Sequence, residues 1–260
     1  MKNIYFSSTL MWNASLPEIF RAAREFGAEG IELWAQQFES RGYGADECLE
    51  LLGRCPLRLF VHSKSWDLNF ASLNPRIRAA SLGEIKRSID LAARLRAAEV
   101  TVHPPRESFR GDRPYFQQLA YEGLREILRY GRDSGVAVSL EIMEKIPKEL
   151  MTTRASVQEL TRGLFREFSY TVDTAHCSGE AELLDFLRNL PGISKLHISN
   201  RRGQKYHTAL PDGDFSFQKL WPLLESRNLP MVVEGFDSTN QYGMLQENMD
   251  CIQKLKECMK

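Results

Sequence analysis

The chain has 260 residues, 43% of them hydrophobic, enough to bury a sizeable core in one α/β barrel or in two small domains. Lys plus Arg and Asp plus Glu number 34 each, so a formal charge of zero gives no general pull toward nucleic acid, although it leaves room for a local basic groove. No run of about 18 apolar residues could span a membrane, no signal-type apolar segment follows Met1, and Cys48, Cys55, Cys177, Cys251 and Cys258 form no CxxC pair, which reads as a reduced, cytoplasmic chain.

Taken in order, residues 4–7 form a first strand. The helical spacing of Ile19, Ala22, Ala23 and Phe26 predicts a helix over 16–26, with Pro17 in its first turn and Gly27 after its end. A second strand covers 30–34 and a short helix 45–52. The third strand, 57–61, runs directly into His62, and Pro75 opens a long helix to about Glu99. Strand four, 100–102, ends at His103-Pro104-Pro105, and a helix over 115–132 closes near Gly135. Strand five, 136–140, is followed by Glu141 and then a helix over 156–168. Strand six begins at Ser169 and runs out through Val172 into Asp173, with His176 in the turn. A helix over 180–190 stops at Pro191-Gly192. Strand seven, 193–196, leads to His197 and a long polar loop, 199–214. A helix over 215–227 carries Pro222, which delays or bends it. Strand eight, 231–233, precedes Glu234, and a helix over 241–257 follows.

Eight strands, each followed by a helix, imply parallel pairing. In a chain of 260 residues without a linker or low-complexity tract, the expectation is a single (β/α)8 TIM barrel over 1–260, class α/β. A doubly wound sheet is the weaker competitor, because no glycine-rich phosphate turn follows the first strand.

In such a barrel the C-terminal ends of the strands meet at one mouth. His62, His103, Glu141, Asp173, His197 and Glu234 follow strands three to eight there. His176 and His207 join them, so all five histidines fall on one face. Singly, each histidine reads as a capped loop residue and each glutamate as a solvated one. Together they point to a metal centre, because so many carboxylates in one cleft require a cation to neutralise them. Oxygen and nitrogen donors without thiolate favour Mn²⁺, Co²⁺, Mg²⁺ or Zn²⁺; Cys177 reads as structural.

Trp12, Trp34, Trp66 and Phe6 are candidates for an apolar wall against a sugar's C–H face. Glu32 is a candidate to orient a ligand. Arg201, Arg202 and Lys205, or Arg106, Arg110 and Arg113, could hold an anionic group of a substrate, with a solvated loop face as the plainer reading.

The pieces Val61-His62, Val102-His103-Pro104, Leu140-Glu141, Val172-Asp173-Thr174-Ala175-His176, Leu196-His197-Ile198-Ser199-Asn200, His207 with Pro211-Asp212-Gly213-Asp214, and Val233-Glu234-Gly235 resemble the xylose isomerase-like barrel superfamily over nearly the whole length. That superfamily contains sugar and sugar-phosphate isomerases and epimerases, hydroxypyruvate isomerase-like and inosose dehydratase-like proteins, and endonuclease IV-type repair enzymes. For the isomerase and epimerase branch, the resemblance implies one divalent metal held by Glu141, Asp173, His197 and Glu234. It implies that His176 contacts substrate oxygens, and that Glu141 and Glu234 act as acid and base through a cis-enediolate. His62, His103, His207, Arg201 and Trp66 are the further expected substrate-binding residues. The expected partner is a small polyhydroxy carbonyl compound, with no membrane, no nucleic acid, and helix faces compatible with a homo-oligomer.

Two other readings compete. The endonuclease IV branch implies a zinc phosphodiesterase for abasic DNA, and His62, His103, His176 and His207 match its pattern. Lys205 and Asn200, however, stand where that pattern has aspartates, which puts the third metal position in doubt. A non-catalytic metabolite-binding barrel is the third reading.

Overall fold

The computed structural model describes residues 1–258; positions 259 and 260 of the expected 1–260 domain lie outside them. In chain order the strands are β1 (Ile4–Ser7), β2 (Gly30–Trp34), β3 (Arg58–His62), β4 (Glu99–Val102), β5 (Ala137–Ile142), β6 (Ser169–Asp173), β7 (Ile193–Ile198), β8 (Asn200–Arg202), β9 (Lys205–Thr208) and β10 (Met231–Val233). All but β8 and β9 pair in parallel and close into a barrel, in which β10 joins β7 to β1. The helices are α1 (Leu16–Glu25), α2 (Ala35–Ser40), α3 (Ala45–Arg54), α4 (Pro75–Arg94), α5 (Arg113–Asp133), α6 (Arg154–Thr161), α7 (Glu180–Asn189), α8 (Phe217–Ser226) and α9 (Gly243–Glu257). This is the expected (β/α)8 TIM barrel. No helix among the described residues is long and apolar enough to cross a membrane.

The barrel strands alternate in a way that positions the site. Leu59 and Val61, Val100 and Val102, Val138 and Leu140, and Leu196 and Ile198 belong to the large core shared with the helices. The residues between them face the lumen, where only Tyr5, Phe60 and Val232 form an apolar cluster. Most of the other lumen residues are polar, and several bond to one another. Ser139 and Thr171 share a 2.8 Å hydrogen bond. Thr101 donates to Glu32 at 2.7 Å. Lys195, fully buried, pairs with Glu99 and sits 4.9 Å above the Phe60 ring. A strand buried on both faces ordinarily reads as a continuous apolar run. Here a two-residue period places one polar stack inside the barrel.

Gly30 is required by this lumen. A Cβ there would lie 2.0 Å from the Arg58 carbonyl oxygen and 2.4 Å from the Tyr5 ring. Gly30→Ala is expected to destabilise the barrel by about 1–3 kcal/mol, read as a lowered midpoint in denaturant unfolding; an unchanged midpoint would refute the packing argument.

Several boundaries differ from the sequence expectation. The long helix ends at Arg94 rather than near Glu99, because Arg96 takes a left-handed turn (φ 54) and Glu99 enters β4. The helix over 156–168 ends at Thr161, where Arg162 (φ 49) turns the chain. Residues 35–40, left without an element, form α2. His62, Glu141 and His197 lie within their strands rather than just beyond them. The loop over 199–214 contains the antiparallel β8–β9 hairpin, tied down by buried Asn200. Its side chain donates to the Leu210 and Phe215 carbonyls at 2.8 and 2.9 Å and accepts from the Phe215 amide at 3.0 Å. Pro222 is accommodated inside α8, which starts at Phe217.

Candidate active site

The register brings the site together. Asp173 pairs with His197 across β6 and β7, and β10, beside β7, ends immediately before Glu234. Each of Glu141, Asp173, His197 and Glu234 offers one donor atom, and these four atoms lie within 4.8 Å of one another. Two flanking groups meet the same criterion: His62, His103 and Glu141 on one side, and Asp173, His176 and His207 on the other. The β8–β9 hairpin, with His207 in a left-handed conformation (φ 55), delivers the last of these ligands.

The donor set suits a divalent cation. Glu141 Oε1, Asp173 Oδ2, His197 Nδ1 and Glu234 Oε2 are all buried without a hydrogen-bond partner among the described residues. Unpaired buried polar atoms are rare and costly, and these four belong to the residues whose donor atoms converge. His197 Nδ1 is 2.7 Å from Glu234 Oε2 and 3.4 Å from Glu141 Oε2, close enough for charge attraction but out of line for hydrogen bonds. Oxygen and nitrogen donors without thiolate match Mn²⁺, Co²⁺, Mg²⁺ or Zn²⁺. Cys177 is turned away, its thiol donating to the Asp173 carbonyl.

The histidines are held in defined orientations. His62 Nδ1 lies 2.8 Å from the Ser63 carbonyl, and His176 Nδ1 lies 2.8 Å from the Ile142 carbonyl. A carbonyl only accepts, so Nδ1 carries the proton in both rings and Nε2 faces the site. There, His62 Nε2 is 3.1 Å from His103 Nε2, and His176 Nε2 is 3.4 Å from His207 Nε2. On the far side of His197, Nε2 is 2.8 Å from Glu32 Oε2. Glu32 is itself flanked by Thr101 and by the Lys195 ammonium at 3.7 Å.

Burial and charge set the protonation states. Burial alone would raise Glu141; the His197 and His103 charges more than offset it and hold the carboxyl well below the usual range. Burial pushes Asp173 up to about 7, helped by Glu234 and opposed by His176 and His207. Burial also works against protonation of His176 and His197, but the surrounding carboxylates win. Asp173, Glu141 and Glu144 raise His176 to about 9, and Glu234, Glu32 and Glu141 hold His197 well above its ordinary value. His62, dominated by burial, falls to about 4, and His207 is lowered for the same reason. A metal ligand must be deprotonated. Metal uptake at pH 7 is therefore expected to release about one to two protons, chiefly from His197 and Asp173, and affinity is expected to rise with pH. Indicator-dye titration during Mn²⁺ addition measures this; uptake without proton release would contradict the assigned states.

The remaining expected residues separate. Trp66 packs against Trp12 and Trp34 at centroid distances of 5.2 and 4.8 Å, at the mouth. Trp34 stands edge-on to His62 at 4.7 Å. Phe6 is not part of this wall: it faces outward into the core with the helices. Phe236, which carries no sequence signal beyond being aromatic near Glu234, takes that place, 5.4 Å from Trp12 and half exposed. Arg201 donates to the Cys177 carbonyl at 2.9 Å and lies over Tyr206. Arg202 pairs with Asp212, and Arg113 is taken up by Glu107 and the carbonyls of Glu149 and Leu150.

Comparison with known proteins agrees with the barrel fold. A family model described as xylose isomerase-like TIM barrel matches residues 20–255. The uncharacterized protein MJ1188 of Methanocaldococcus jannaschii is 29% identical over 232 residues, covering 84% of this chain and 82% of its own. Among solved structures, a D-tagatose 3-epimerase-like protein superposes with a TM-score of 0.83 at 22% identity, covering 99% of this chain and 98% of its own. The 3-keto-D-glucoside 4-epimerase YcjR from E. coli superposes with a TM-score of 0.79 at 17% identity, covering 99% and 100%. With the family model spanning nearly the whole barrel and every strand that feeds the site, the chain belongs to the xylose isomerase-like TIM-barrel family.

Proposed function

We propose that the protein is a divalent-metal-dependent isomerase or epimerase of a small sugar or related keto compound. The observation that carries this is the set of four converging donor residues, each with a buried unpartnered atom, two of which are the glutamates Glu141 and Glu234. The epimerase names of the structural neighbours support it. Glu141, Asp173, His197 and Glu234 would hold the ion, which supplies Lewis acidity to a substrate carbonyl and its neighbouring hydroxyl.

The protein's own residues then do the proton work. One glutamate accepts the proton from the carbon next to the carbonyl, giving a cis-enediolate. The other glutamate returns a proton at the other face or the adjacent carbon. Glu141, held ionised by its imidazole neighbours, is available as an acceptor at neutral pH. His176, pinned through Nδ1 and protonated up to about pH 9, directs Nε2–H at the site, where it can donate to a substrate oxygen that gains negative charge. Trp12, Trp34 and Trp66 shield one side of the mouth from water and offer an apolar face.

The test is solvent-deuterium incorporation at a carbon of candidate ketoses and keto acids, followed by NMR with Mn²⁺-loaded protein. Uptake that depends on metal supports the enzyme. Tight binding of a sugar without any uptake would instead favour a metabolite-binding barrel.

A zinc phosphodiesterase for abasic DNA is the second reading, favoured by the two flanking ligand groups around His62–His103 and His176–His207. Against it, Lys205 is exposed on β9 and brings a cation where a ligand is needed, and formal charge is zero. Failure to cleave an abasic-site duplex with zinc supplied would remove this reading.

A further inference from the structure

Beside the metal centre, the loops after β3, β4 and β5 enclose a cavity of about 490 Å³. His103, a member of one of the flanking donor groups, forms part of its wall, so the cavity borders the site.

Its walls carry three carboxyls. Glu149 lines it and is only 9% exposed, yet its carboxylate accepts no hydrogen bond and makes no ion pair among the described residues. Glu144 lies next to it, with Oε2 buried and lacking a hydrogen-bond partner and with His176 Nε2 at 3.6 Å. Asp67 adds a third carboxyl. Of the cationic groups nearby, His176 faces Glu144, and His103 and Arg106 line the same cavity. Lys64 is already held by Glu39 and, at 2.7 Å, by Glu84. Arg106 is exposed at the rim. Trp66 and Ile146, both partly exposed, supply an apolar face.

We propose that this cavity is the subsite for the non-reacting end of the substrate, and that it takes an uncharged polyhydroxyl chain whose hydroxyls bond to Glu144 and Glu149, not a phosphate ester. The inference rests on the isomerase or epimerase reading for where the reacting carbons sit. Glu144 Oε2, buried without a hydrogen bond, is costly until a donor reaches it, and sugar hydroxyls are donors. A phosphate group offers almost none and adds a charge of roughly −1.5 to −2 at neutral pH. Burial pushes Glu149 up to about 7, with Glu144 adding to the effect and His103, Arg106 and His176 opposing it. In either protonation state it can bond a hydroxyl, and its ionised form repels a phosphate. Trp66 and Ile146 suit the C–H face of the same chain.

The experiment is calorimetric titration of the Mn²⁺-loaded full chain with free ketopentoses and ketohexoses and with their terminal phosphates. The expected result is that at least one free sugar binds about tenfold or more tightly than its phosphate. In Glu149→Lys, that preference is expected to shrink by tenfold or to invert while Mn²⁺ affinity stays unchanged. Should that variant not fold, Glu149→Gln is expected to weaken the free sugar and narrow the gap. A phosphate binding as tightly as its free sugar in the wild-type protein overturns the inference, as does the absence of binding by every free sugar. Failure here is distinct from failure of the enzyme reading. Deuterium uptake into a phosphate alone would keep the isomerase and discard this subsite, whereas preferential free-sugar binding without uptake would do the reverse.

Discussion

Replacement of Glu141 by glutamine is expected to lower metal-dependent deuterium exchange into the substrate by about 10²–10⁴-fold, with the barrel intact by circular dichroism. Two effects compete in that variant. Glu141 belongs to the four-donor group, so its loss weakens metal binding; it is also a candidate proton acceptor, so its loss removes the chemistry. Titration with excess Mn²⁺ separates them. If exchange returns once the metal site is saturated, Glu141 is a ligand only and the two-glutamate mechanism falls. If saturation restores metal but not exchange, the carboxylate itself carries the proton. Glutamine keeps the volume and an acceptor oxygen, so the fully buried pocket between His62, His103 and His197 is not hollowed out. Glu234→Gln is expected to show the same behaviour, since the return step needs the second carboxyl. A variant with turnover like wild type at either position would refute the assignment.

Glu32→Gln is expected to weaken Mn²⁺ binding by about 10–100-fold, although Glu32 is not itself among the converging donors. Its Oε2 faces His197 Nε2 at 2.8 Å, on the side of the ring opposite Nδ1, which faces Glu234. A carboxylate there favours the proton on Nε2 and so leaves Nδ1 with a free lone pair for the ion. The carboxyl is kept ionised despite burial by His197 and by Lys195, which bring it down to about 2. Glutamine retains the shape but not the charge, and Lys195 keeps Glu99 as its partner. Calorimetry of metal binding reads the effect directly, and a thermal melt checks that the fold is unchanged. An unaltered Mn²⁺ affinity would mean that the Glu32–His197 contact is only part of the lumen packing.

Much of this molecule was legible in the chain. The eight-fold strand–helix alternation, and the placement of His62, His103, Glu141, Asp173, His197 and Glu234 at one mouth, follow from short apolar runs broken by polar residues. Helix starts were clear where a local signal carried them, as with Pro17 in α1 and Pro75 in α4. Less legible was the polar lumen. Glu99 and Thr101, Ser139 and Glu141, Thr171 and Asp173, and Lys195 and His197 alternate with apolar residues along their strands. That two-residue period was present in the sequence. A lumen so polar is unusual, however, so charged residues read as helix ends or strand exits, and the local pattern puts Glu99 and His197 outside the strands they occupy.

The sequence alone determined the barrel and the end of it that holds the chemistry, because backbone periodicity and strand direction are local properties that repeat eight times. Tertiary structure decided the rest. His207 reaches Asp173 and His176 only because buried Asn200 anchors the β8–β9 hairpin to Leu210 and Phe215. Glu32 lies behind His197 only because the closed barrel faces β2 and β7 across one lumen. The acidic cavity at Glu144 and Glu149 forms where three separate loops meet. Each of these depends on contacts between residues far apart in the chain, and no local spacing records which of them will face one another.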